Sequence, residues 1–458
     1  MANGTKDILL AKIRNGATLT RAEQMRLSLF LAVPAILAQL SSVLMQYIDA
    51  AMVGRLGASQ AASIGLVSTS TWIFGGFCMA TSSGFSVQIA QLIGADRFKD
   101  ARTLLRKALV SVLIFSLSLS CLGLSIAGSL PGWLGGTPEI IDDARRYLTV
   151  YLAFLPVLQL SFTAGAMLQA SGNMKVPSIL NILMCVLDVA FNYLFIYRLG
   201  MGVMGAALGT GVAMTIAAVL MLAFLLGKSP ELHLRAEGGS WIPDSDCLSK
   251  AWGISGAMYL QNIIMRGAYI MSTVIVAPLG TIAIAANSFA ITAESFCYMP
   301  GYGLEEAATT LVGQSIGARR KGTARGFAFI CTGMGAAMMS ALAVLMYVFA
   351  PQMMQILTTD PEVISLGAKV LRIEAFAETF YAVSIVAYGA CVGAGDTLVP
   401  SALNFLCMWV IRIGLAVLLT PKFGLTGYWI AMCIDLHIRG ILFLWRICGQ
   451  RWMKKVLV

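Results

Sequence analysis

Asp188 and Asn192 stand four residues apart in LNILMCVLDVAFNYLFIY, and no basic side chain follows until Arg198. At helical spacing both face one side, so a carboxylate and an amide carbonyl are offered to the same point. A third group of this kind is Asp49 in MQYIDAAMVGRLG, which ends a run with no charge after Arg26. Thr210, in GAALGT, adds a hydroxyl. Oxygens of these types suit a hard cation such as Na⁺. Two desolvated carboxylates without a counter-ion repel, so the cluster calls for one small positive charge, Na⁺ or H⁺, if the helix of Asp49 packs near that of Asp188. The plainer reading is that each acid caps a loop or pairs with a base, Arg55 being the neighbour of Asp49.

A second group of ionisable residues lies in apolar runs of the second half: Arg266, Glu294, Glu305, Glu306, Glu374, Glu378, Arg412, Asp435 and Arg439. Such residues are costly in a membrane and face a cavity or a partner. Arg266, Glu294 and Arg412 suit either a buried ion network that fixes helix packing or the polar floor of a cavity. Asp435 and Arg439 are four apart, the spacing of an intrahelical pair. Glu306 is placed for a water-filled mouth.

Other chemistries lack their residues. The two histidines, His233 and His437, make no metal pair, and the ten cysteines are scattered singly without a CxxC. They read as small buried hydrophobes. There is no phosphate-binding loop, nucleophile elbow or HExxH. An ATP-driven pump and an enzyme are both disfavoured, and no cofactor is expected beyond a coupling ion, Na⁺ or H⁺.

These residues must be positioned by membrane helices. The chain is 58% hydrophobic and 12% charged, far from the roughly 25% charged residues of soluble domains. Apolar runs long enough to cross a bilayer fall at about 27–54, 60–94, 103–128, 146–171, 177–197 and 203–227. After a polar stretch they resume at about 249–277, 282–316, 326–350, 364–392, 400–420 and 425–446. The expected fold is all-α and integral to the membrane, with twelve spans in two six-helix lobes. The expected organisation is a segment 1–26, an N-lobe 27–228, a linker 229–248, a C-lobe 249–447 and a tail 448–458. Placing the N-terminus in the cytoplasm leaves 22 Lys and Arg inside and 7 outside. That asymmetry predicts both termini cytoplasmic in a plasma (inner) membrane. It also reads the net charge of +10 as a topology signal with lipid contact, not a nucleic-acid footprint.

The second half repeats the first at an offset of 223. Gln91, Gly94 and Ala95 map onto Gln314, Gly317 and Ala318, Leu56–Gly57 onto Leu279–Gly280, Gly172 onto Gly395, Pro177 onto Pro400 and Asn181 onto Asn404. Six spans per repeat predict halves related by an axis along the membrane normal, with a site near their interface. The offset carries Asp49 to Ser272 and Asp188 to Ile411, so the acid cluster belongs to one half only.

YIDAAMVGRLG with AASIGLV, GFSVQIAQLIGA with EEAATTLVGQSIGA, ASGNMKVPSILNILMCVLDVAFNYLFIY, GVMGAALGT and GAGDTLVPSALNFLCMWVIRIGLA together resemble the multidrug and toxic compound extrusion (MATE) family over essentially the whole chain. The resemblance implies two six-helix lobes around a central cavity, alternating access by a rocker switch, and antiport of diverse small molecules against Na⁺ or H⁺. It places the family's N-lobe cation site on Asp49, Asp188, Asn192 and Thr210. It also offers Gln46, Tyr47, Gln261, Arg266, Glu294, Met299 and Arg412 as candidate cavity residues. Two departures stand out. Asp precedes Asn on the fifth span, and the seventh carries Gln261 and Arg266 where some branches have an acid. The two arginines favour anionic or zwitterionic substrates more than a usual drug-cation exporter would, and they support an alternative, a flippase for a lipid-linked or anionic amphiphile. The expected partners are a small-molecule substrate and membrane lipids, with neither ATP nor nucleic acid, and the expected state is a monomer.

Overall fold

Lipid offers no hydrogen bonds to the backbone, so each apolar run must satisfy its own as a helix. A computed structural model describes residues 2–234, 238–453 and 457, and it has this character. Arg235, Lys454 and Lys455, which entered the charge count, and part of the expected tail lie outside the described residues. Nine long apolar helices occur among the described residues, with two bent pairs that each read as one span. In order, spans 1–3 are Arg21–Gly54, Ala58–Gly94 and Phe98–Ala127. Span 4 is the pair Pro138–Ala153 and Leu155–Ala170, bent by 47°. Span 5 runs through Lys175–Asn192 into a π-helical turn at Tyr193–Arg198, and span 6 is Gly202–Gly227. Spans 7–9 are Ser245–Val276, Thr281–Gly317 and Lys321–Leu357. Span 10 is the pair Pro361–Glu374 and Glu378–Gly393, bent by 59°. Span 11 joins Leu398–Phe405, a π-helical Leu406–Ile413 and Gly414–Phe423, and span 12 is Leu425–Cys448. By length and hydropathy these make eleven spans; Leu425–Cys448, which carries Asp435, His437 and Arg439, is the twelfth, in keeping with the expected twelve-span, all-helical fold.

The repeat is visible in the backbone. Asp96 and Arg319, 223 apart, both adopt a left-handed conformation, with φ of 61° and 59°. Each is followed by the same closing bond, Arg97 N to Leu92 O at 2.9 Å and Arg320 N to Ser315 O at 2.8 Å. The bends in spans 4 and 10 also correspond, because the offset takes Phe154 onto Ala377 at the second break. Arg102 and Arg325 form another pair, each 3.0 Å from a backbone carbonyl beyond or at the end of the last helix of its half, Glu231 and Cys448 respectively.

Two compact units result. One, here the C-unit, comprises Met1–Leu40 and Leu260–Leu457, and the other, the N-unit, is Ser41–Tyr259. The boundaries fall inside spans 1 and 7, not at the polar loop, so each unit takes in half of one helix from the other repeat. In the C-unit the first half of span 1 lies against span 8, where a side chain at Gly303 would strike the Ile36 backbone. In the N-unit the first half of span 7 lies against span 2, with Ser255 Oγ donating to Ala80 O at 2.8 Å and Thr81 sharing a 2.8 Å bond with Tyr259. Small residues and side-chain hydrogen bonds suit helix packing in lipid, where apolar burial supplies little drive. Span 1 begins with a capping box: Thr20 N donates to Glu23 Oε2 at 2.9 Å, and Glu23 N donates to Thr20 Oγ1 at 3.2 Å.

Candidate functional site

Span 5 ends its regular helix at Asn192 and widens into a π turn, a feature that often marks functional positions. Asp188 and Asn192 are 0% and 1% exposed. Asn192 Nδ2 donates to Asp188 Oδ2 at 3.1 Å and to Asp49 Oδ1 at 2.9 Å. One amide thus gathers both carboxylates, which leaves the two bonded oxygens no more than about 6 Å apart. At an effective dielectric near 20, full charges at ~6 Å repel by roughly 3 kcal/mol. No ion pair joins Asp49 to Arg55 among the described residues.

Thr210 faces Asp188 from span 6. Its neighbour Gly209 is required, because a side chain there would collide with Asn192 Oδ1 and backbone. Asp188 Oδ1 and Asn192 Oδ1 are buried without a hydrogen-bond partner. The four residues named from the sequence are therefore brought together within the N-unit, and they present oxygens to a small cation or a proton. Sequence reasoning missed Tyr147, which stands close to both acids from span 4. Its signal in RRYLTVYL is only a tyrosine near a span end. A cavity lined by Tyr147, Tyr151, Phe154, Thr210 and Met214 adjoins the cluster.

The C-unit polar cluster is built differently. Arg412, in the π-helical part of span 11, donates from Nε to Asp435 Oδ2 at 2.8 Å, and Arg439 donates to the same oxygen. The i,i+4 pair expected in span 12 is present, and Arg412 joins it across 23 residues. Glu294 is 5% exposed and lies near Arg412, though no ion pair within 4 Å joins the two among the described residues. Glu374 and Glu378 flank the break in span 10, both fully buried. The sequence shows two acids in one run but not the break between them.

The remaining candidate cavity residues divide between the units. Gln46 is exposed and Tyr47 half-buried on span 1 in the N-unit. In the C-unit Gln261 Oε1 accepts from Ser401 Oγ at 2.7 Å. Arg266 lies 5.8 Å from the Tyr269 ring centroid, and Met299 is half-buried. Glu306 Oε1 accepts from Gln39 Nε2 at 3.0 Å.

Known proteins share this arrangement of helices. A "Probable multidrug resistance protein NorM" of Thermotoga maritima is 26% identical over 440 residues, covering 93% of each chain. "Multidrug and toxin extrusion protein 1" of Homo sapiens is 26% identical over 94% of this chain and 76% of its own. The structure titled "Reverse polarity of binding pocket suggests different function of a MOP superfamily transporter from Pyrococcus furiosus Vc1" superposes with a TM-score of 0.88 at 21% identity, over 94% of this chain and 97% of that one. A point mutant of a Vibrio cholerae MATE transporter gives 0.87 at 19% identity, over 95% of this chain and 99% of that one. The MatE family profile matches residues 34–194 and 257–418, one stretch in each repeat. The chain belongs to the MatE family.

Proposed function

We propose that the protein is a secondary antiporter that exports small amphipathic, drug-like molecules in exchange for Na⁺ or H⁺ entering at Asp49, Asp188, Asn192 and Thr210. The observation that carries this is one buried amide holding two carboxylates together with no basic side chain bonded to either among the described residues. Facing outward, the cluster takes up the ion. Its arrival removes the repulsion and shifts the packing around Asn192 and Thr210, which favours substrate release outside. The halves then reorient and the ion leaves inward. Coupling requires only that ion and substrate bind the two states with different free energies. The relatives named for multidrug resistance support export of drug-like molecules. The loop-charge asymmetry supports an inner-membrane protein with both termini cytoplasmic, and the reading takes it as a monomer among lipids. A second reading, export or flipping of an anionic amphiphile, is favoured by Arg266 among tyrosines in span 7.

The test is transport in proteoliposomes with the sodium and pH gradients imposed separately. Transport driven by one gradient and lost in Asp49→Asn is expected. Dependence on neither gradient would end the antiport reading.

A further inference from the structure

The helix Ala2–Arg14 precedes span 1 and lies in the C-unit, packed against span 8. Leu9, Leu10 and Ile13 are at most 4% exposed, while Asp7 and Ile8 stand out from the surface. Ile13 follows the two leucines by four and three residues, so the three share one face. Lys12 ties the helix to two other elements. Its carbonyl oxygen accepts from Arg320, at the turn between spans 8 and 9, at 3.0 Å. Its ammonium pairs with Glu23 Oε1, whose other oxygen closes the capping box of span 1. Span 1 then continues along the same unit to Leu40. Gln24 lies where a side chain at Gly326 would collide, and Cys331 Sγ donates to Ser28 Oγ at 3.3 Å. At Ser41 the span passes into the N-unit, where it carries Asp49.

The offset of 223 reaches this segment too. It takes Leu9 onto Leu232, which is 0% exposed in the linker before span 7. There Arg102 and Arg106 of span 3 donate to the carbonyls of Glu231 and Leu234, each at 3.0 Å, and Lys107 pairs with Asp244. Span 7 then runs in the N-unit as far as Tyr259 before it crosses into the C-unit. Each repeat's first span is thus preceded by a buried leucine and by a backbone carbonyl held by an arginine. Each of those spans also starts on the other repeat's unit.

We propose that Ala2–Arg14 is a clasp, with Lys12 as its positioning residue, that fixes the first half of span 1 to the C-unit so that the half carrying Asp49 moves from a held base. A helix secured at one end passes displacement along its length, whereas one free at that end tilts and passes on little. The linker does the same for span 7. The clasp goes beyond the antiport reading, because it acts on reorientation whichever ion drives it.

The experiment uses the full-length protein. Leu9→Glu combined with Ile13→Glu sets two charges at buried apolar positions, which undocks the helix without shortening the chain. Hydrogen exchange, read by mass spectrometry, should speed up at residues 24–40 by about 10-fold or more, the factor carried by one lost buried apolar side chain. In proteoliposomes, maximal ethidium–ethidium counterflow should fall to roughly a fifth of wild type or less, with the half-saturating ethidium concentration unchanged. Lys12→Glu sets like charges together and should raise exchange at 24–40 by up to about 5-fold, whereas Lys12→Arg should match wild type. Leu232→Glu, the equivalent change in the linker, should free residues 245–259 of span 7 and leave 24–40 protected. Wild-type exchange at 24–40 in the double variant would overturn the clasp. So would wild-type counterflow with that segment freed, or a shift in ethidium affinity alone. If the double variant does not fold, the single ones decide, and equal exchange in Lys12→Glu and Lys12→Arg overturns the role of Lys12. Neither measurement uses an ion gradient, so the antiport reading stands or falls separately.

Discussion

The N-unit holds two carboxylates on one amide and bonds no base to them among the described residues, whereas the C-unit sets Asp435 on two arginines, with Glu294 and Glu374 near Arg412. The offset of 223 makes the contrast sharp, because Asp188 maps onto Ile411, next to Arg412. Where the first half bonds no base to its two acids among the described residues, the second places Arg412 and Arg439 on Asp435. Arg412 cannot leave, so the Asp435 end of the C-unit cluster stays neutralised throughout a cycle. An exchangeable charge can change packing in the N-unit far more than at Asp435.

The strongest way to break this comparison is at the N-unit acids. Asp49→Asn or Asp188→Asn should cut gradient-driven efflux by roughly 5- to 150-fold, the range of typical coupling free energies. Dye efflux from cells, measured beside wild type at equal expression, would show it. Wild-type efflux would remove the cluster from coupling.

Stability should respond with opposite signs in the two halves. Arg412→Met leaves Asp435 with one arginine in a buried setting, and breaking a buried pair costs about 3–5 kcal/mol. Asp188→Asn instead removes a repulsion and should raise the melting temperature in Na⁺-free neutral buffer. Adding the coupling ion should then raise the melting point of wild type but not of Asp188→Asn, because binding stabilises only the state that binds. Thermal melts in detergent measure all three, and a shared sign would erase the distinction drawn here.

Gly209→Ala offers a gentler probe. The added methyl meets Asn192, so an overpacking cost of about 1–3 kcal/mol is expected together with weaker ion-dependent stabilisation. The smallest effect belongs to Asp244, which lies outside the spans. Lys107 lies 3.0 Å from it, and their hydrogen bond holds the Asp244 carboxyl below the usual carboxylate range. A folded-state value below the unfolded one means that the pair's contribution is present above the ordinary carboxylate range and fades as pH falls through the folded value. On an exposed pair this amounts to at most about 1 kcal/mol. Asp244→Asn should therefore leave efflux unchanged and shift acid-side melting slightly.

Much of this was legible from residue order because the signals are local. Span 5 reads as a helix from its apolar run, and the four-residue spacing of Asp188 and Asn192 puts them on one face whatever surrounds them. The turn pairs Asp96 and Arg319, and Gly172 and Gly395, lie at the repeat offset that the motifs had already shown. Tyr147 was not legible, since its relevance rests on span 4 approaching spans 1 and 5 and no pattern around it differs from ordinary packing. The break in span 10 was also hidden. EAFAE carries no proline or glycine, and helix termination there follows from how the two segments pack.

Residue order by itself determined that this is a membrane protein of twelve spans in two repeats, and that Asp49 and Asp188 have no acidic counterpart at the repeat offset. Hydropathy and charge act through the bilayer on each segment separately, so no neighbour is needed to read them. Tertiary structure decided that Asn192 bridges Asp49 across 143 residues and that Arg412 turns to Asp435. It also decided that the first halves of spans 1 and 7 join the opposite repeat's unit. Those outcomes depend on which helices lie side by side, and the period of a single helix carries no record of its neighbours.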